Sequence, residues 1–333
     1  MNATEIQKQL FRQIKTKITD QALLTDEIAK LLEISTDSVY RRMRGEKPIT
    51  LDELRKLCIH YHISLDQIMD IQTENIIFQG QLLDKKIFRF EDYMRGIMNN
   101  MAYMNSFKKK EFFYMCKDLP FFYHYHFREI AAFKWFFWLK TYFHFPEFAK
   151  KKLRFSDYPD ELFAIDQKVL SLYNQIPSTE IWNIENMSIL FRQIEFYRDG
   201  QVFESDKDVY ILYEAIEKLW DHLEEQAALG YKFNYNDPEK KPISEYKMYF
   251  NEVLLGDNSM LIILDDMKIS YILHSGINYM FTRDVTFNEN LYNHIQNQMQ
   301  RSTLISEVSE KERSRFFRII RDRITNRKQS LKV

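Results

Sequence analysis

Residues 25–66 read TDEIAKLLEISTDSVYRRMRGEKPITLDELRKLCIHYHISLD, and this stretch decides the fold of the amino-terminal part. Ile28, Leu31 and Leu32 recur at helical spacing before Ile34 and Ser35 interrupt the pattern. Ser35 is suited to open a second helix, because a serine oxygen accepts a hydrogen bond from a free backbone N–H one turn on. That helix is predicted to run to about Arg44 and to stop at Gly45, a residue that tolerates the left-handed conformation used at helix ends. Two short helices joined by a tight turn are the geometry that seats one of them in a DNA major groove.

The second helix can be read face by face. Val39 and Met43 lie one turn apart and are assigned to the core with Ile34. At 3.6 residues per turn, Asp37, Arg41 and Arg44 project from the opposite side, flanked by Ser38 and Tyr40. Donors, acceptors and charge on one face are what base-edge readout needs. Arginine to guanine is the commonest specific contact, and a bidentate pair discriminates by roughly 1–3 kcal/mol. Lys47, just past the helix, is placed to meet a phosphate. The alternative is a solvated charged face on an ordinary helical hairpin.

Working outward, Thr50-Leu51-Asp52-Glu53 is a capping box opening another helix, with Leu54, Leu57, Cys58 and Tyr61 on its apolar side. Ser64-Leu65-Asp66-Gln67 is a second capping box. Upstream, Ile6, Leu10, Ile14 and Ile18 make one apolar helical stripe. The five-helix unit resembles the lambda-repressor-like (Xre) helix-turn-helix family. The resemblance rests on Ile28-Ala29, Leu32, Ile34-Ser35, Val39, Arg41, Gly45, Pro48, Leu54 and the closing Ile63-Ser64-Leu65-Asp66. It covers the first fifth of the chain. It implies double-stranded DNA as partner and binding as a dimer on two half-sites; with the helix face read above, the DNA-binding residues expected are Asp37, Ser38, Tyr40, Arg41, Arg44 and Lys47, joined by Thr25 and Thr36 at the helix starts. Two departures stand out. Glu33 occupies the turn position where the family usually has Gly, and Thr25 and Thr36 stand where it often has Gln.

The chain has 333 residues, room for two or three domains, and 45% hydrophobic residues, ample for a core. Seven glycines and seven prolines point to long helices and few turns. Net charge is −1, and the first 70 residues balance eleven Lys and Arg against eleven Asp and Glu. DNA affinity therefore has to rest on a local patch of Arg41, Arg42, Arg44 and Lys47. Cys58 and Cys116 suggest no disulfide framework, which fits a cytoplasmic location. No uncharged apolar run reaches the roughly 18–20 residues a membrane span requires; the nearest, 130–145, is interrupted by Lys134 and Lys140.

The fold class expected is mainly α. A helix-turn-helix head occupies 1–70, a linker or connecting helix 71–87, and a helical dimerisation or sensor region 88–242, punctuated by prolines 120, 146, 159 and 177. An α+β segment occupies 243–333, with a small antiparallel sheet from 246–255, 259–264 and 268–273. Gly256-Asp257-Asn258 and Asp265-Asp266 are its turns, and helices follow from about Asn288 and from a capping box at Ser309-Glu310-Lys311-Glu312. Aromatics crowd residues 112–145. They imply a packed core and dimer interface, or a pocket for a small apolar or aromatic effector, or an interfacial membrane helix. His124 and His126, on an expected helix, do not make a metal site. His274-Ser275-Gly276 is no nucleophile elbow, and no catalytic constellation or cofactor motif is found. The carboxy-terminal run with Arg313, Arg315, Arg318, Arg321, Arg323 and Arg327 reads as an amphipathic helix, its basic face solvated or touching DNA phosphates. A DNA-binding regulator is the leading reading. An enzyme with a regulatory head and a protein-interaction module that retains the helix-turn-helix are the rivals.

Overall fold

Apolar residues at three- and four-residue spacing form the helices of the amino-terminal unit. These are α1 (Ala3–Lys15), α2 (Gln21–Leu32), α3 (Thr36–Arg44), α4 (Leu51–His60) and α5 (Leu65–Met69). The structure, a computed structural model, describes residues 2–15, 21–61, 63, 65–69, 76–80, 88–253, 258–274 and 276–331, without the side chains of 21, 22, 66 and 67. The chain divides into two compact units, Met1–Asn75 and Ile76–Val333. The first has its own core of Leu10, Phe11, Ile14, Leu24, Ile28, Leu32, Val39, Leu54, Leu57, Tyr61, Ile63 and Ile68. Ile18, the Ser64 capping box and residues 71–75 and 81–87 of the expected linker lie outside the described residues. Residues 76–80 are neither helix nor loose linker, because Gln79 exchanges backbone hydrogen bonds of 2.7 and 2.8 Å with Phe281.

The second unit continues with α6 (Phe90–Asn105), β1 (Lys110–Met115), α7 (Arg128–Phe137), α8 (Asp160–Asn174), β2 (Ser178–Trp182), α9 (Ser188–Asp199) and α10 (Asp206–Leu229). Then come β3 (Tyr231–Lys232), β4 (Ser244–Phe250), β5 (Ser259–Leu264), β6 (Met267–His274), β7 (Asn278–Thr282), α11 (Val285–Gln300), β8 (Thr303–Leu304) and α12 (Glu310–Gln329). The strands form one mixed sheet in the order β3-β4-β2-β1-β5-β6-β7, with β8 on β4. The pairs β1–β2 and β2–β4 are parallel, while β1–β5, β5–β6 and β6–β7 are antiparallel.

This corrects the expectation of a helical middle followed by a separate small antiparallel sheet. The centre of the sheet, β1 and β2, comes from the middle region. The reason is visible in β1: Phe112 and Tyr114 enter the core on one face, Phe113 and Met115 the core on the other. A strand buried on both faces shows a continuous apolar run instead of alternation. The larger core is shared by α6, α7, α8, α9, α10 and α12, and α11 covers the opposite face through Ile295.

Most of the 112–145 aromatics pack on one another in that larger core. Phe122 stacks on Tyr173 at 4.1 Å and Phe121 on Trp138 at 5.8 Å. They come from a strand, a 3₁₀ turn, α7 and a π turn over Trp138–Tyr142, not from one helix. His124 sits in the 3₁₀ turn Phe121–Tyr125, its Nδ1 3.0 Å from the Phe121 carbonyl oxygen. Prolines 120, 146 and 159 open helical turns instead of following them, and proline lacks the N–H that a first turn leaves unbonded anyway.

One further expectation changes. Ser309 is left-handed at φ +56° and makes no side-chain cap, so its capping box does not form. Asp265-Asp266 is the turn between β5 and β6, as expected, and the Asp265 carboxylate accepts from the Lys109 backbone N–H at 3.0 Å. Gly256, Asp257 and Ser275 lie outside the described residues.

Candidate nucleic-acid interface

The turn between α2 and α3 closes with Ile34 N–H on the Ala29 carbonyl at 3.0 Å, and Glu33 takes the left-handed conformation at φ +57°. A non-glycine residue adopts that region at modest cost. Ser35 is the N-cap of α3, its hydroxyl accepting from Ser38 N–H at 3.3 Å. Gly45 ends the helix at φ +79°, its N–H reaching the last-turn carbonyls.

At 100° per residue, Val39, Met43 and Arg42 fall on one side of α3. Val39 is fully buried, Met43 packs against the head core, and Arg42 is 4% exposed. The far side presents Asp37, Arg41 and Arg44, flanked by Tyr40, all exposed, with Ser38 half-buried at its edge, Thr36 exposed in the first turn nearer the Met43 side, and Lys47 exposed beyond the helix. The side chains of Arg41 and Arg44 are 52% and 58% exposed. Seven of the eight positions expected to meet DNA therefore gather on or beside one surface. Thr25 does not. It is 2% exposed within α2 and cannot touch a duplex without unpacking the head.

Five buried or part-buried hydrogen bonds of Gln7 and Arg42 hold the rear of the helix. The Gln7 amide donates to the Arg42 carbonyl at 2.7 Å and the Lys47 carbonyl at 2.8 Å, and its oxygen accepts from Ile49 N–H at 3.0 Å. Arg42 donates to both oxygens of Glu53, at 2.6 and 3.1 Å. Glu53 also closes the capping box with Thr50. Burial pushes the Glu53 carboxyl up, but hydrogen bonds from Arg42 and the Thr50 N–H outweigh it and the net shift is down.

Residues 2–88 match the family model of the BetR domain. This is a helix-turn-helix-type DNA-binding domain family, and the match supports a DNA-binding regulatory role with DNA as the partner. No curated protein and no solved structure matches the chain.

Within the BetR-matching segment, Arg42 has to be struck from the basic patch expected from the sequence. Its charge is spent on Glu53, and a buried guanidinium bound on both edges offers nothing to a phosphate. The signal was present, since Arg42 follows Val39 by three residues and so shares its face. Gln7 was missed in the same way, three residues before Leu10 on the apolar stripe of α1. Glu46, by contrast, has no sequence signal. Its carboxylate accepts from Arg44 at 2.6 and 3.1 Å and lies 4.0 Å from Arg41. The hydrogen bond to Arg44 first, and the charges of Arg44 and Arg41 next, hold the Glu46 carboxyl below its ordinary range.

The carboxy-terminal arginines are largely committed elsewhere. Arg315 pairs with Glu252, Arg321 with Asp221 and Glu224, Arg323 with Glu185, and Arg327 with Glu195. Arg313 donates to the carbonyls of Ile305 and Val308. The apolar stripe Phe316, Phe317, Ile320 and Ile324 is buried, as its spacing predicts. These pairs stitch α12 to α9, α10 and the loops beside them, and with Arg315 and Arg318 exposed the basic face is solvated, as the amphipathic reading expects, but largely ion-paired. No helix of the described residues is long and apolar enough to cross a membrane.

Proposed function

We propose that the chain is a sequence-specific, DNA-binding transcriptional regulator of the lambda-repressor-like (Xre) kind, working in the cytoplasm as a dimer, with its second unit sensing a signal. One observation carries the reading: α3 is locked from behind by Gln7, Arg42 and Glu53 while Asp37, Tyr40, Arg41 and Arg44 stand open on its other side. A rigid helix with a polar outer face is what base readout in the major groove requires. Lys47 lies beyond the end of that face and Thr36 in the first turn, suited to the phosphates that set register. Catalysis is no part of this reading.

Selection of fragments bound by the full chain from random duplex tests it. The expected result is one enriched motif whose preference at a single position relaxes in Arg41→Ala. A second reading, a protein-interaction module, draws on Glu46, which occupies both arginines of the outer face. Salt separates the two. DNA binding gives a negative slope of log affinity against log salt. No enriched motif together with a flat slope would sink the first reading.

A further inference from the structure

The second unit holds an open cleft of about 340 Å³ between one face of α10 and the loop that leaves β3. Clefts that take small molecules run from about 300 to 1,000 Å³. Lys218, Asp221, His222 and Glu225, at i, i+3, i+4 and i+7, share the α10 face that lines it. The facing loop contributes Phe233, Tyr235, Asn236, Asp237, Pro238 and Lys240. The Tyr235 ring is half-buried and packs T-shaped on Phe127 at 4.7 Å and on His222 at 5.4 Å, so its position is set before anything binds. Asp237 pins the loop beyond Tyr235, its two carboxylate oxygens accepting from the backbone N–H groups of Glu239 and Lys241, each at 3.0 Å.

The charges around the cleft are nearly all committed. Asp237 is used in that turn, Asp221 accepts from Arg321 at 2.6 Å, and Glu225 pairs with Lys240 at 3.1 Å. Burial first of all lowers His222 to about 4, so its ring is neutral at pH 7. Lys218 differs. It is exposed on the cleft, and among the described residues it has no ion pair and no hydrogen bond. The Tyr235 hydroxyl and the Asn236 side-chain amide are likewise unbonded among the described residues. What the cleft leaves open is therefore one cation, two neutral hydrogen-bonding groups and an aromatic ring.

We infer that this cleft binds a small aromatic monocarboxylate, its carboxylate on Lys218 and its ring against Tyr235 and Pro238. The size fits that class. A cavity of about 150 Å³ holds benzene, with its six non-hydrogen atoms, and on that scale a space of about 340 Å³ takes up to roughly 13. Benzoate, with about nine, fits within it, and indole-3-acetate, with about 13, fills it. Lys218 carries its charge on a flexible four-carbon stem, so the ammonium follows the carboxylate to wherever the ring seats it. The charge fits as well. One unpaired cation matches one negative charge, whereas a dianion brings a second charge up to Asp221, Glu225 and Asp237 with no second cation free. An aromatic amine meets Lys218 with like charge and finds the carboxylates already bonded. The inference deepens the sensing half of the proposed function, yet it depends on the second unit alone.

The test is calorimetric titration of the full chain with benzoate and indole-3-acetate, beside acetate, benzylamine and phenyl phosphate, with no DNA present. Its failure would therefore leave the reading of α3 standing, and failure of that reading would not touch this one. The expected result is one-site saturation by both aromatic acids below about 1 mM, with acetate, benzylamine and phenyl phosphate at least about tenfold weaker. Lys218→Met should weaken both acids by about tenfold or more, and Lys218→Arg should stay within about threefold of the unaltered chain. Lys218 is exposed, so neither substitution should move the melting temperature. Tyr235→Ala should weaken indole-3-acetate by about tenfold. Saturation by neither acid below about 1 mM, acetate or benzylamine binding as tightly as benzoate, or Lys218→Met binding like the unaltered chain would overturn the inference.

Discussion

At position 42 the guanidinium is 4% exposed and bonded to both oxygens of Glu53, while at position 41 it is half exposed and faces outward. Removing one partner of a buried pair strands the other charge, which costs about 3–5 kcal/mol. Arg42→Ala is therefore expected to lower the melting temperature of the head sharply, read by circular dichroism. Arg41→Ala should leave melting unchanged and weaken operator binding by about 1–3 kcal/mol. If the two variants behave alike in both assays, the face assignment of α3 is wrong. Glu46 gives a prediction of opposite sign. It competes with DNA for Arg44 and Arg41, so Glu46→Gln should tighten binding several-fold and steepen the salt dependence, seen in anisotropy titrations of labelled duplex. Much of this surface was legible in the sequence, because 3.6-residue periodicity alone separates Asp37, Arg41 and Arg44 from Val39 and Met43. Thr25 was misassigned because it was placed by likeness to a family position, not by its own helix face. Glu46 was illegible because it lies past the cap, where the chain turns back and periodicity no longer says what a side chain meets.

Helix boundaries in the head are written in local chemistry. Ser35 and Gly45 frame α3, and Thr50 with Glu53 opens α4, each through bonds spanning three or four residues. Gly45 carries the clearest consequence. A left-handed residue with a β-carbon costs about 1–2 kcal/mol, and a β-carbon built here would stand 2.6 Å from Thr4 Cγ2. Gly45→Ala should destabilise the head by at least that amount in urea titration, whereas Gly96→Ala, within α6 and with open space around it, should be neutral or stabilising. The strands were legible only where they alternate or meet turns. β5 was placed to the residue and β6 within one at each end, whereas β1 and β2 were hidden. β2 reads Ser-Thr-Glu-Ile-Trp, and all five are buried. Its polarity is tolerated because Glu180 accepts hydrogen bonds from Tyr123, Tyr173, Tyr246 and the Trp182 ring N–H. The three tyrosines come from outside the strand, and no pattern within β2 announces them. The Ser309 box failed for a related reason: Arg313 holds the approach to α12 by the Ile305 and Val308 carbonyls.

For the whole molecule, pH dependence and assembly are the two properties that follow. His222 is buried, and that burial first, reinforced by Lys240 and opposed by Glu225 and the Phe233 backbone, lowers it from 6.5 to about 4. His126, with both ring nitrogens buried and unbonded and its ring 5.0 Å from that of His222, is lowered well below 6.5. The folded chain refuses protons that the unfolded chain accepts. This stabilisation is complete above pH 6.5 and is lost as pH falls toward 4. By about pH 5 the loss from His222 alone is roughly 2 kcal/mol. Asp166, raised by burial to about 8, acts with the opposite sign over the same range, so the histidine share appears only as a difference. The double variant His126→Gln, His222→Gln should lose less stability than the unaltered chain between pH 7 and about pH 5, and equal losses would contradict the assignment. Assembly concerns the head. Among the described residues its core contains none beyond Ile68, and the buried cores of the second unit none before Phe90, so each has a hydrophobic core of its own. A single recognition helix covers one half-site, and two half-sites about 34 Å apart need two heads. If the second unit joins them, the second head meets its half-site at an effective concentration near millimolar, a gain of about 10²–10⁴ over separate heads. A fragment of residues 1–75, checked for folding by circular dichroism, should then match the full chain on a duplex with one half-site. On two half-sites it should fall behind by about that factor. Equal affinity of fragment and full chain on the two-site duplex would mean that the heads act singly and that the second unit serves something other than pairing.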